Sequence, residues 1–141
     1  MDNSRLKSLT PEIEYYENGN VKKITYFDKK NGQMEKIKEE DYFNNGQKEY
    51  ERFFSNNELN GPCIEYYENG GKKREYNHKN GVMDGVDTTY YENGQKRQEG
   101  TFKDGEKDGK WTRWYENGQK KDEGTYKDGE LISTKRWNED G

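Results

Sequence analysis

Cys63 is the only cysteine of this chain and His78 the only histidine. A histidine-based metal cluster needs more than one such ring, and a lone cysteine forms no intrachain disulfide. No Ser–His–Asp or Cys–His–Asn set comes together by spacing. Cys63 follows Pro62 in a strand-like segment, where an inert buried thiol is expected rather than a nucleophile. The chain has 29 Asp and Glu residues, but they recur as parts of one repeated pattern, so no pair stands out as general acid and base. No catalytic residue, metal ligand or cofactor site is therefore assigned.

Recognition is the chemistry that remains. The chain has 12 Tyr and 3 Trp, residues that carry large rigid area with a polar handle and concentrate at binding surfaces. Five aromatic pairs stand out: Tyr15-Tyr16, Tyr42-Phe43, Tyr66-Tyr67, Tyr90-Tyr91 and Trp114-Tyr115. Each precedes an Asn-Gly step, at Asn18-Gly19, Asn45-Gly46, Asn69-Gly70, Asn93-Gly94 and Asn117-Gly118. Successive glycines are 27, 24, 24 and 24 residues apart, which marks a repeat protein. Asp104-Gly105-Glu106-Lys107-Asp108-Gly109 has the look of the start of a calcium loop. Its twelfth position is Tyr115, where a bidentate Glu is required, and turn chemistry explains the same residues.

The elements that position these residues follow from the turns. A second turn lies between the Asn-Gly steps, at Asn31-Gly32, Asn56-Asn57, Asn80-Gly81, Asp104-Gly105 and Asp128-Gly129. Both kinds read as type I′ hairpin turns, whose central residues take positive φ. The intervening segments, such as Lys96 to Lys103, are rich in Thr, Tyr, Phe and Trp and have strand length. Each repeat is thus two antiparallel strands. The expected fold is all-β: an elongated single-layer meander of about ten strands, roughly 45–50 Å long at the usual strand spacing. Residues 1–14 form an N-terminal capping segment, expected to cover the first sheet edge. Five repeats follow at 15–41, 42–65, 66–89, 90–113 and 114–137, and 138–141 is a tail. Repeats four and five agree at 13 of 24 positions, which fixes the unit as the whole two-turn segment. Gly61, Gly85 and Gly109 read as bends or bulges.

Composition narrows the function classes. Leu, Ile, Val and Phe make up only about an eighth of the chain, too little for a deep core, but stacked repeats need none. The formal net charge is −4 with Lys and Glu interleaved, which disfavours a nucleic-acid role. No apolar run of about 18 residues exists, so no membrane span is expected. Met1 to Leu6 has no apolar signal core, which favours the cytoplasm.

Side chains alternate faces along a strand. One aromatic column is Tyr16, Phe43, Tyr67, Tyr91 and Tyr115, expected on the packed face with Trp111, where Gly100 and Gly124 leave room for rings. The other is Tyr15, Tyr42, Tyr66, Tyr90 and Trp114. It is the candidate partner-binding surface, since a one-layer sheet needs no core on its far face. The alternative is that both columns are cross-strand ladders holding a thin sheet together.

Glu99-Gly100-Thr101-Phe102-Lys103-Asp104-Gly105-Glu106-Lys107-Asp108-Gly109-Lys110-Trp111, followed by Trp114-Tyr115-Glu116-Asn117-Gly118, resembles the MORN repeat, and more closely its bacterial variant. The resemblance covers residues 15–137 and is strongest in repeats three to five. It implies an open, twisted single sheet of stacked hairpins. It also implies a non-enzymatic scaffold for a protein partner, because some bacterial proteins of this kind are antitoxins that neutralise a cognate toxin. Two further readings stand beside it: a cell-surface or cell-wall module that stacks sugar rings on its aromatics, and a membrane-surface scaffold, which the negative charge disfavours. Exposed end strands leave an end-to-end or edge-strand homodimer open.

Overall fold

The computed structural model of the chain describes residues 11–140, so residues 1–10 of the expected capping segment lie outside it. The described residues form one antiparallel sheet and no helix. Its strands are β1 (Glu12–Tyr15), β2 (Val21–Lys30), β3 (Gln33–Tyr42), β4 (Lys48–Ser55), β5 (Glu58–Tyr66) and β6 (Lys72–Lys79). Then come β7 (Val82–Met83), β8 (Gly85–Tyr90), β9 (Lys96–Lys103), β10 (Glu106–Trp114), β11 (Lys120–Lys127) and β12 (Glu130–Arg136). Each strand pairs with its neighbours in sequence, except that β7 and β8 do not pair with each other and share β6 as partner. The sheet is open, since β1 and β12 do not meet.

Twelve strands stand where about ten were expected, for two local reasons. Residues 12–14, assigned to the capping segment, form β1 together with Tyr15 of the first repeat, with Ile13 facing Ile24 across the ladder. A break at Asp84 divides β7 from β8, just ahead of Gly85 at φ 104°. Gly61 and Gly109 likewise take positive φ, 112° and 70°, beside register shifts in their ladders. The bulges read from sequence are therefore present.

The two turns of each repeat differ, contrary to the common type I′ reading. At Asn80-Gly81, Asp104-Gly105 and Asp128-Gly129 both residues have positive φ, as type I′ requires. Asn56 and Asn57 do the same, at 51° and 62°. At Asn93-Gly94 only the glycine does, at 85°. There the Gly94 N–H donates to Tyr91 O at 2.9 Å and the Tyr91 N–H to Gln95 O at 2.8 Å, which makes a three-residue loop ending in a left-handed glycine. Asn93 Oδ1 accepts from the Gln95 N–H at 2.9 Å, an Asx turn that keeps the Asn backbone out of positive φ.

These loops place an extra residue in the following strand. Register shifts fall at Asp41/Tyr42, Glu65/Tyr66, Thr89/Tyr90 and Arg113/Trp114. Their consequence for the charged residues appears below.

The apolar core is small. Cys63 and Trp111 are the buried hydrophobic residues among those described. Trp111 packs edge-on against Phe102 and Tyr126, at centroid distances of 5.0 and 6.2 Å. Its indole fills the space above Gly100, where a Cβ would collide with the ring. Leu131 and Tyr126 close over Gly124 in the same way. Three Arg–carboxylate clusters continue this face: Arg52 with Glu39 and Asp41, Arg74 with Asp87, and Arg113 with Asp122. Two are bidentate, a geometry well matched to the guanidinium fork.

Candidate partner-binding face

Ladder register carries the face assignment across the sheet, because residues directly opposite each other share a side. Ile13 faces Ile24, Ile24 faces Glu40, Glu40 faces Glu51, and Glu51 faces Ile64. Ile64 faces Glu75, and the line continues through Thr88, Glu99, Thr112 and Glu123. Alternation then places Tyr15, Tyr42, Tyr66, Tyr90 and Trp114 on this one side, opposite the face of Trp111 and Cys63.

The five rings are not equally free. Tyr15 is 59% exposed, and the other four are half-buried. The Tyr42 hydroxyl donates to Glu40 at 2.9 Å, and the Tyr90 hydroxyl to Glu75 at 3.0 Å. The Lys96 ammonium lies over the Trp114 ring at 6.0 Å. The sheet therefore holds the polar ends of Tyr42 and Tyr90.

A charged stripe runs beside them, and the sequence reading missed it. Lys48–Glu51, Lys72–Glu75, Lys96–Glu99 and Lys120–Glu123 are ion pairs three residues apart, repeated every 24 residues. In a regular strand residues i and i+3 point to opposite faces. The bulge after each Asn-Gly loop brings the lysine to the side of the glutamate. The signal was present as a recurring Lys-x-x-Glu, but only the bulge gives it meaning. In the first hairpin the corresponding residues are Val21 and Ile24, so there the stripe is apolar.

Glu40 is the densest point of this face. It accepts from Tyr26, Tyr42 and Lys48, and pairs with Lys38 at 2.8 Å. Burial alone would raise its pKa, but these four donors hold it well below the ordinary carboxylate range. Its partners shift the other way. Burial and the Glu40 carboxylate push the Tyr26 hydroxyl up to about 12. Lys48 is also raised, since Glu40 and Glu51 outweigh the effect of burial.

The companion rings lie one residue beyond the strand ends and run along the loop edge. The Tyr16, Tyr67, Tyr91 and Tyr115 hydroxyls donate to the backbone carbonyls of Tyr42, Tyr90, Trp114 and Trp137, at 2.7, 2.7, 2.8 and 3.3 Å. Each ring thus ties its loop to the next hairpin. Asn45, Asn93 and Asn117 add parallel ties to Glu68, Glu116 and Glu139 carbonyls.

Catalytic chemistry is poorly served on either face. Cys63 sits 3.6 Å from His78 Nδ1, but burial pushes its thiol up, away from the thiolate a nucleophile needs. Burial, helped by Arg74, lowers His78. Among the described residues no group of three or more His, Cys, Asp or Glu is placed to hold a metal ion. The arrangement suits contact over an extended surface.

An open sheet of repeated hairpins defines a repeat scaffold. The family model for the MORN repeat variant matches residues 11–29, 59–80, 83–104 and 107–128, more than half of the chain. The chain therefore belongs to the MORN repeat variant family, whose repeats are generally non-catalytic scaffold and binding modules. The unmatched stretch, 30–58, contains the Asn56-Asn57 turn. No curated protein matches the chain.

Proposed function

We propose that this chain is a non-enzymatic scaffold whose face of Tyr15, Tyr42, Tyr66, Tyr90 and Trp114 binds a protein partner, with a cognate toxin as the leading class. The observation that carries the reading is the alignment of five aromatic rings on one side of a single-layer sheet, with no second layer to cover them among the described residues. Aromatic anchors of this kind dominate binding energy at protein interfaces. The Lys–Glu stripe beside them supplies a polar rim that fixes register and disfavours wrong partners. A toxin inhibitor of this design acts by covering its target and needs no chemistry of its own.

The test is affinity capture from the native cell with the wild-type chain and a Tyr66→Ser/Trp114→Ser variant. These positions spare the Tyr42 and Tyr90 hydroxyls that the sheet uses. One protein captured by the wild type and lost by a folded variant is the expected result. Equal capture by both moves the site off this face.

A further inference from the structure

Four of the five loop-edge rings carry a cation supplied by their own hairpin. Lys22 lies over Tyr16 at 5.9 Å, Lys73 over Tyr67 at 6.0 Å, Arg97 over Tyr91 at 6.0 Å and Lys121 over Tyr115 at 5.4 Å. In every case the cation comes six residues after the ring. The ring is Phe43 in the second hairpin, and the residue six positions on is Glu49. No cation lies over the Phe43 ring among the described residues. The second hairpin thus keeps the ring and reverses the charge of the group that serves it.

The same site departs from the pattern in a second way. Phe43 has no hydroxyl to give to the Tyr66 carbonyl, so the tie made by its four counterparts is missing. A shallow depression lies here, lined by Phe43, Tyr66 and Tyr67 with Glu68, Glu92 and Lys73. Lys73 is already engaged over Tyr67. The depression itself holds two carboxylates, Glu68 and Glu92, to one committed ammonium, and Glu49 occupies the position from which the other hairpins supply their cation. Aromatic faces beside carboxylates attract cations, and arginine and lysine are the protein groups that fit.

We propose that Phe43, Glu49 and the adjoining Tyr66–Tyr67 surface form a docking seat for one lysine or arginine side chain of a protein partner. The partner inserts at the second hairpin the charge that every other hairpin provides for itself. This defines a register along a sheet whose repeats otherwise look alike, because one seat in five accepts an outside cation. The proposal rests on the protein-partner reading for the molecule that carries the cation. The chemistry of the seat is independent of it.

The experiment is a titration of the isotope-labelled chain with N-acetyl-arginine amide, followed by nuclear magnetic resonance. The uncharged isostere N-acetyl-citrulline amide is the control. The expected result is saturable shifts confined to the Phe43 and Tyr66 rings and the amides around Glu49, with none from the control. Glu49→Lys supplies the cation in cis, and it is expected to weaken the response by about fivefold or more. Phe43→Leu keeps the bulk without the ring face and is expected to weaken it about threefold. Should Phe43→Leu not fold, Glu49→Gln provides the second arm, with a loss between those of the other two. Shifts spread evenly over Tyr16, Tyr67, Tyr91 and Tyr115, an unchanged response in Glu49→Lys, or no shift at all would each overturn the proposal. The probe is a small molecule, so its failure leaves the partner face of Tyr66 and Trp114 standing. An empty capture experiment likewise leaves this seat standing.

Discussion

Phe43 lacks the one oxygen that Tyr16, Tyr67, Tyr91 and Tyr115 use to tie each loop to the next hairpin. Phe43→Tyr should supply it and stabilise the chain by about 0.5–1.5 kcal/mol, read as a higher urea midpoint at unchanged slope. The reverse change, Tyr91→Phe, should cost about 1 kcal/mol by the same measurement. Gly100→Ala tests the packed face. A Cβ there meets the Trp111 indole, so a loss of about 1–3 kcal/mol is expected, with a changed near-ultraviolet tryptophan signal. Glu40 contributes to the pH dependence beside Glu39 and Glu75, whose carboxyls are also held below the ordinary value. Its folded pKa is depressed, so its contribution is complete above the ordinary value of 4.5 and is lost as pH falls below that. Glu40→Gln should therefore cost about 2 kcal/mol at pH 7, with the gap to wild type closing in acid. Denaturant melts of both chains at pH 7 and pH 3 check this.

At the scale of the element, the two turns of each hairpin do different work. The Asp104-Gly105 type links to the previous repeat through the backbone, as where the Gly105 N–H meets Met83 O at 2.8 Å. The Asn93-Gly94 type links forward through its Asn and Tyr side chains. Asn57 occupies the second position of a type I′ turn at φ 62°, where glycine carries no Cβ penalty. Asn57→Gly should be stabilising by a few tenths of a kcal/mol, up to about 0.5, by thermal melt. Strand number, strand length and the positions of both turns were legible in the sequence to within the β1 segment and the Asp84 break, because Asn-Gly and Asp-Gly mark chain reversals reliably. The type of the first turn was not, since the Asn93 side chain captures the Gln95 N–H and spares its own backbone from positive φ. The Lys96–Glu99 pairing was hidden for the same cause, as the bulge behind that loop reverses the expected alternation. Of the candidate site, the common side of Tyr42, Tyr66, Tyr90 and Trp114 followed from counting by twos. The hydrogen bonds that hold Tyr42 and Tyr90 to Glu40 and Glu75 did not, because counting by twos gives the side of a ring and not the rotamer that carries its hydroxyl to a carboxylate.

Across the whole molecule, each hairpin touches only its neighbours, so stability is a sum of local and nearest-neighbour terms. The core at Cys63 and Trp111 lies in the interior of the array, and every residue of β12 is exposed. Amide hydrogen exchange should accordingly be slowest in β9 to β11 and fastest in β1 and β12. Uniform protection along the array would point to a single cooperative unit instead. The central claim is that the face of Tyr66 and Trp114 meets a protein and the face of Trp111 holds the sheet together. Photo-crosslinking in the native cell tests it most directly, with a benzophenone side chain placed at position 66 in one chain and at position 126 in another. The account predicts one protein cross-linked from position 66 and none from position 126. Cross-linking from position 126 alone, or from neither, would contradict it.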